Sequence, residues 1–528
     1  MKLNYRRTIC VGFAFFLICA FWQAYDNIIA LTLTNKFGMP QAYSGVIMAF
    51  DNILALFMLP LFGALSDKCH SKIGNRTPFI IIGTVIAAAA FIGLSFVDQM
   101  QLTNIADVSK VDAPTSLETL YDFDYGKTEL KTTSGQVFCV TDLDRDSFLS
   151  IRTETEWDVN GNDVTNNTEY TGERINPYSE YVSPARQAYA WKATLNNPTT
   201  LIFFIGLLLV VLLAMSIFRS PAVALMPDVT PKPLRSKGNA VINLMGSAGG
   251  VLVLVLGMIF GTGSAKNGLM SYVVFFSVIA ALMIASLIAF LLTVNENRFV
   301  QEMEKESLQL GIDESEDSNA SGSRQLTRSE IFSLLLILAS VALWYIGYNA
   351  VSSKYSVYAT NILQKDYNMT LIIAQAAAII SYLPVGMISS KFGRKKCILA
   401  GVIILGVAFG AAYFVNASTP TLLMNLLFAS AGIGWATINV NSFPMVVELA
   451  KGGNIGKYTG YYYTASMAAQ VITPFLSGIF MDKISMTTLF PYATIFVAGS
   501  FVTMLFVKHG DAIVAPKQSI LENFDIED

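Results

Sequence analysis

Long apolar runs recur along this chain, each close to a membrane crossing in length and each closed by a short polar stretch. A helix needs about 20 predominantly apolar residues to cross about 30 Å of hydrocarbon. By that measure residues 8–33, 45–65, 78–97, 199–226, 240–262, 270–294, 329–351, 368–389, 397–415, 421–447, 457–481 and 487–508 are each expected to span, twelve helices in all. The first run is too long for a cleaved signal peptide and has no small-residue cleavage site behind it, so it is read as the first span. Two polar stretches interrupt the rhythm, 98–198 and 295–328. The expected organisation is spans one to three in 1–97, an insertion in 98–198, spans four to six in 199–294, a linker in 295–328, spans seven to twelve in 329–508 and a tail in 509–528.

Composition agrees with the pattern. The chain is 53% hydrophobic and only 14% charged, with a mean hydropathy of +0.51; soluble domains carry about 25% charged residues. Five cysteines form no disulfide framework, since four lie in or beside spans and Cys139 stands alone in the insertion. His70 and His509 both fall outside the spans, and there is no nucleotide-binding loop and no nucleophile–base motif. An enzyme is therefore not expected, nor a cofactor, a metal or a nucleic-acid partner. Asp142, Asp144 and Asp146 imitate the start of a calcium loop, but Ser147 stands at its glycine and Thr153 at its closing acid.

The net charge of −3 hides an asymmetry. With the N-terminus in the cytoplasm, the loops on that side carry Lys2, Arg6, Arg7, Lys68, Lys72, Arg76, Lys391, Arg394, Lys395 and Lys396 among others. The short loops opposite carry only Lys36, Lys266, Lys354, Lys365 and Lys483. Positive residues mark the cytoplasmic side, so both termini are expected inside, in a multi-pass protein of the cell membrane. The insertion then lies outside, with 17 acidic and 8 basic residues, and stretches such as "SGQVFCVTDLDRDSFLSIRTETEW" suggest a small strand-rich cap. The acidic linker is expected to begin helical and end disordered.

The two groups of six spans look alike. Pro60, Gly63, Asp67, Lys68, Gly74 and Arg76 follow the second span, and Pro384, Gly386, Ser390, Lys391, Gly393 and Arg394 follow the eighth. Spans four and ten each end in an acid, Asp228 and Glu448. Internal repeats of this kind belong to transporters that move one half against the other around a central site.

A Gly-x-x-x-Asp-Lys loop with a partial echo six spans later resembles the signature of the major facilitator superfamily. The longer pattern from Asp67 to Pro78, with "RSPAVALMPDVTPKPLRSKGNA" (219–240) and "GWATINVNSFPMVVE" (434–448), is similar to the sucrose/proton symporters and the related glycoside–pentoside–hexuronide cation symporters, in their bacterial branch. The resemblance implies an all-α membrane protein, with twelve transmembrane helices in two six-helix halves and a polar, strand-rich extracellular insertion the family pattern does not cover. It implies alternating access, with a sugar and a coupling proton as partners, the lipid bilayer as surroundings, and a monomer. Three departures stand out. Asn75 replaces an arginine of the loop, Val223 stands where relatives keep an arginine, and "PFIIIGTVIAAAAFIGLSF" has no acid where plant sucrose symporters carry one for the proton.

Charges inside spans are the sharpest functional suspects, because each costs about 2.5–3.5 kcal/mol on insertion scales. Asp26, beside Trp22, Gln23 and Asn27, is read as the coupling and substrate-binding acid, since a carboxyl removed from bulk water can exchange a proton near neutrality and accept sugar hydroxyls. Asp51 and Arg219 are its candidate coupling partners. Asn243, Trp344, Asn349, Trp435, Asn439 and Gln470 supply the neutral hydrogen-bonding groups and flat apolar faces that sugars need. Gly63, Asp67, Arg76 and Asp228, with Gly386, Gly393, Arg394 and Glu448, are read as a conformational latch at the cytoplasmic loops. Proton-coupled symport of a disaccharide or glucoside leads. A uniporter or exporter of another polar solute, and a transport-silent sensor using residues 98–198, stay open beside it.

Overall fold

The computed structural model describes residues 3–231, 234–309, 327–449 and 455–510. Each apolar run closes its own backbone hydrogen bonds as a helix, which hydrocarbon demands of an open chain. The first half holds α1 (Tyr5–Lys36), α2 (Gln41–Asp67), α3 (Thr77–Asn104), α4 (Thr199–Asp228), α5 (Arg235–Phe260) and α6 (Val273–Thr293). The second holds α7 (Arg328–Leu363), α8 (Tyr367–Phe392), α9 (Arg394–Ala412), α10 (Thr421–Glu448), α11 (Ile455–Lys483) and α12 (Leu489–Leu505). Among the described residues eleven are long and apolar enough to cross a membrane; the apolar stretch of α8 is shorter, Tyr367–Tyr382.

Packing repeats between the halves. The first half pairs α1 with α5, α3 with α4, α1 with α6 and α2 with α4. Its counterpart pairs α7 with α11, α9 with α10, α7 with α12 and α8 with α10. The halves meet along α2 with α11 and α5 with α8, again an equivalent pair.

Two expected boundaries move, for the same reason. The third span does not stop at residue 97: α3 continues to Asn104 and carries Asp98, which is fully buried. The expectation of an acid-free third span is corrected accordingly. The seventh does not stop at residue 351, so Trp344, Tyr345, Tyr348 and Asn349 lie mid-helix rather than at its outer end. Lys36 and Lys354, expected in short loops, are both 0% exposed inside α1 and α7. In each case a polar residue that reads as the end of a span is satisfied by side chains of neighbouring helices, so the helix runs on.

Beyond α3 the insertion has its own hydrophobic cluster, with Leu117, Leu120, Phe148, Ile151 and Val182 fully buried. Its strand content is small. The alternating stretch yields an antiparallel pair, β1 (Leu130–Lys131) against β2 (Val137–Phe138), with Leu130 opposite Phe138. Isolated bridges join Trp157 to Asp163 and Ile175, and the longest regular element is the helix Ser183–Asn196. In the linker, Glu296–Gln309 is helical; the part expected to be disordered, 310–326, lies outside the described residues, as do tail residues 511–528.

The insertion is docked on both halves. Thr194 Oγ1 donates to the Phe37 carbonyl at 2.9 Å and Gln187 Nε2 to that of Met39 at 3.1 Å. Toward the second half, Lys131 Nζ donates to the Lys483 carbonyl at 3.1 Å, Gln364 Nε2 to Ser179 Oγ at 3.0 Å, and Ser485 Oγ to the Thr133 carbonyl. Beneath it, the Asp482 carboxylate accepts from the Gln41 and Ala42 amides at 2.8 and 2.7 Å. Lys354 Nζ donates to the Gln41 carbonyl and to Ser44 Oγ at 2.8 and 2.7 Å. A Cβ on Gly45 would overlap the Pro474 carbonyl, and one on Gly478 that of Gln41, so these glycines set how closely α2 and α11 cross. The insertion face between the halves is shut.

Candidate functional site

The centre of the site is a break in regular helix. Tyr25–Ile29 and Thr32–Lys36 of α1 are π-helical, a local widening common where function requires a side chain to be re-aimed. Asp26 sits in the first of these turns and is exposed, while Tyr25, Asn27, Ile28 and Ile29 around it are buried. Asp51 of α2 and Arg219 of α4 both act on Asp26 electrostatically. Asp51 Oδ1 accepts from Asn52 Nδ2 at 2.8 Å, and the Arg219 guanidinium lies 5.7 Å from the Trp22 ring centroid. One half thus brings together two carboxylates, a guanidinium and an indole.

The other half answers with aromatic rings. Trp435 of α10 stacks on Tyr348 of α7 with centroids 3.6 Å apart and planes 6° apart. Tyr345 meets the same indole edge-on at 5.2 Å. Tyr348 is in turn under the electrostatic influence of Asp26. Asn349, one residue on, has a buried Nδ2 with no hydrogen-bond partner among the described residues. Across the seam, Gln375 Nε2 of α8 donates to Gln23 Oε1 at 2.7 Å, beside Gly250 of α5. Asn27 is occupied locally: its Nδ2 donates to the Gln23 carbonyl at 2.9 Å and its own carbonyl accepts from Ser356 Oγ at 3.2 Å.

Other candidates fall elsewhere. Trp344 is 0% exposed within the packed core. Asn243, Asn439 and Gln470 are half-buried on α5, α10 and α11.

Around the terminal-side loops, Arg76 is the hub. Its guanidinium contacts Asp67 at 2.5 Å, Asp228 at 2.9 Å and Ser66 Oγ at 2.5 Å, and reaches the Gly63 carbonyl at 3.4 Å. In the second half Arg394 NH1 donates to the Pro444 carbonyl at 2.9 Å, so each loop arginine reaches the fourth helix of its own half. Gly393, at φ 90°, opens α9, and the half-buried Gly386 accepts from Ser389 Oγ at 3.0 Å. The Glu448 side chain lies outside the described residues.

Sequence reasoning missed several participants. Glu296, 3% exposed, accepts from the Asn75, Arg76 and Thr77 amides at 2.7, 2.9 and 2.9 Å, capping the start of α3 from the linker. Lys36 and Asp98 form a fully buried pair at 2.7 Å, and Lys36 Nζ also donates to the Met270 carbonyl at 2.7 Å. Lys354, Asp482 and Gln375 join the halves. The available signal was charge at the ragged ends of apolar runs, which marks a span boundary as readily as a buried partner.

Residues 358–522 match the family model described as Major Facilitator Superfamily, and residues 10–108 the one described as MFS/sugar transport protein. The chain is 40% identical over 73 residues to sucrose transport protein SUC4 of Arabidopsis thaliana, which is 12% of this chain and 14% of that protein. It is 34% identical over 86 residues to proton-associated sugar transporter A of Homo sapiens, which is 16% and 11%. The chain spans less than a sixth of the length of either relative. Among solved structures, a D-xylose-proton symporter superposes with a TM-score of 0.55 at 15% identity, over 96% of this chain and 99% of that one. A POT family transporter in complex with 5-aminolevulinic acid gives 0.57 at 9% identity, over 95% of each. The fold is that of the major facilitators, and the matched families and folds are those of transporters.

Proposed function

We propose that this chain is a member of the Major Facilitator Superfamily that carries a sugar, a disaccharide or glucoside such as sucrose, together with a proton by alternating access. The observation that supports this most directly is one exposed carboxylate, Asp26, one turn from Trp22 and acting electrostatically on Arg219 of the first half and on Tyr348, which stacks with Trp435, of the second. A sugar ring seated there would lie on an aromatic face and give its hydroxyls to Asp26, Asn349 and the Gln23–Gln375 pair.

In this reading the same groups also couple the proton. Arg219 acts electrostatically on both Asp26 and Asp51, so protonating either acid changes the field that its guanidinium feels. Sugar hydroxyls compete for the same carboxylate, and that competition ties proton release to the state of the site. In this reading the insertion face is extracellular and the structure is inward-facing. Arg76 with Asp67, Asp228 and Glu296, and Arg394 with α10, brace the cytoplasmic ends of the helices that must rock. Proton entry adds about 2.3 kcal/mol per charge for each 100 mV.

The test is uptake of labelled sucrose, and of a panel of glucosides, into liposomes with and without an inward proton gradient. Gradient-driven accumulation is expected for the wild type, and Asp26→Asn should lose it while keeping sugar exchange at equal pH. Accumulation that survives in Asp26→Asn would remove this residue from coupling. Flux indifferent to the gradient would leave a uniporter.

A further inference from the structure

Under the insertion, where it meets both halves, lies a small pocket lined by Asn35, Tyr178, Arg186, Gln187, Thr360 and Asn361. Its walls come from three bodies: α1 and the α5–α6 connection in the first half, α7 in the second and the insertion above. The cavity is small, about 20 Å³, room for about one or two waters. A sugar does not fit. A single small ion does.

The chemistry of the lining favours an anion. Arg186 is only 4% exposed. Two of its guanidinium nitrogens donate to backbone carbonyls, those of Val108 and, at 2.9 Å, Val111. The third, Nε, is buried and has no hydrogen-bond partner among the described residues. Thr360 Oγ1 on the facing wall is likewise buried and unpartnered. Among the described residues Arg186 forms no ion pair: Asp112, which acts electrostatically on the adjacent Tyr178, has both oxygens engaged by Thr153 at 2.9 and 3.1 Å. Tyr178, its ring 6.0 Å from the guanidinium and its side chain within the reach of Arg186, is neutral and brings no counter-charge. A cation taken out of water without a counter-charge is unfavourable, as is a buried donor with nothing to donate to. One anion in this pocket corrects both.

We propose that the pocket binds one small inorganic anion of halide size, held by Arg186 Nε and Thr360 Oγ1, and that the bound anion strengthens the closed insertion face. Its donors sit on the insertion and on the second half, with Asn361 joined to Asn35 of the first half at 2.7 Å. A ligand that bridges the insertion and the second half binds only while the two are together, so its occupancy stabilises that arrangement.

Chloride is the probe. The full-length protein in detergent is melted while chloride replaces gluconate at constant ionic strength. A saturable rise in Tm is expected for the wild type, with the half-saturating chloride concentration raised tenfold or more in Arg186→Gln and severalfold in Thr360→Val. The second variant keeps the guanidinium and serves if the first does not fold. Hydrogen exchange at residues 178–187 and 359–364 should slow with chloride in the wild type alone. A Tm indifferent to chloride, as for a pocket holding only water, overturns the proposal, and so does a response unchanged in both variants. Exchange that does not slow overturns the strengthening of the closed face. None of these readouts requires sugar transport, so their outcome is separate from that of the transport reading.

Discussion

Trp435 lies flat against Tyr348, ring on ring at 3.6 Å, although the two residues come from different helices and are 87 positions apart in the chain. The two rings together present one flat apolar surface, and Tyr348 of the pair is under the electrostatic influence of Asp26. Trp435→Ala should raise the KM for sugar uptake about tenfold, and Trp435→Phe much less, because the phenyl ring keeps the stack. An unchanged KM in the alanine variant would take this surface out of the binding site.

The Lys36–Asp98 pair is fully buried, and its lysine is further satisfied by the Met270 carbonyl. Removing one partner strands the other charge, which costs about 3–5 kcal/mol, whereas replacing both by apolar groups can be close to neutral. Lys36→Met should therefore lower stability strongly, and Lys36→Met with Asp98→Leu should recover most of the loss. Melting of both variants in detergent checks this; a double variant as unstable as the single one would contradict it.

Arg76 holds two acids, but they are not equal. Asp67 is 60% exposed and Asp228 37%, so solvent screens the first contact more and an exposed pair contributes about 0–1 kcal/mol. Glu296 caps the same corner from a buried position. Substitution to the amide should therefore slow turnover and lower stability least at Asp67, more at Asp228 and most at Glu296. Uptake rates and melting of the three variants test the order; Asp67→Asn proving the most damaging would reverse it.

Glu180 of the insertion accepts from the Thr133 amide at 2.9 Å, yet burial holds its carboxyl above the ordinary range. A raised value in the fold means the protonated form is favoured there. The stability it contributes is present below the unfolded carboxylate value of 4.5 and is lost as pH rises through the folded one. Tm measured against pH should fall across that window, and Glu180→Gln should flatten the fall. An identical slope in the variant would assign it to other groups.

The glutamate is also instructive about what could be read in advance. Along the chain it is one acid among 17 in an acidic stretch; only the folded insertion sets it beside Thr133, whose carbonyl takes the bond from Ser485 of the second half. The same holds for Glu296, which in the linker reads as a solvated charge. That Asp26 lies within a span was legible, because a carboxylate inside an apolar run is costly and stands out along the chain.

What the sequence by itself determined is the membrane class, the helix-by-helix architecture and the internal repeat. These rest on local physics: hydrocarbon forces backbone hydrogen bonds to close within each run, so apolar length alone reports a helix. Where the helices end was decided by tertiary structure, since Lys36, Asp98 and Lys354 are tolerable inside spans only once other helices supply their partners. Tertiary structure likewise decided the stacking of Tyr348 on Trp435, the docking of Asp482 on Gln41 and the pocket around Arg186. Each joins groups tens to hundreds of residues apart, and no periodicity along a chain encodes which faces of two helices will meet.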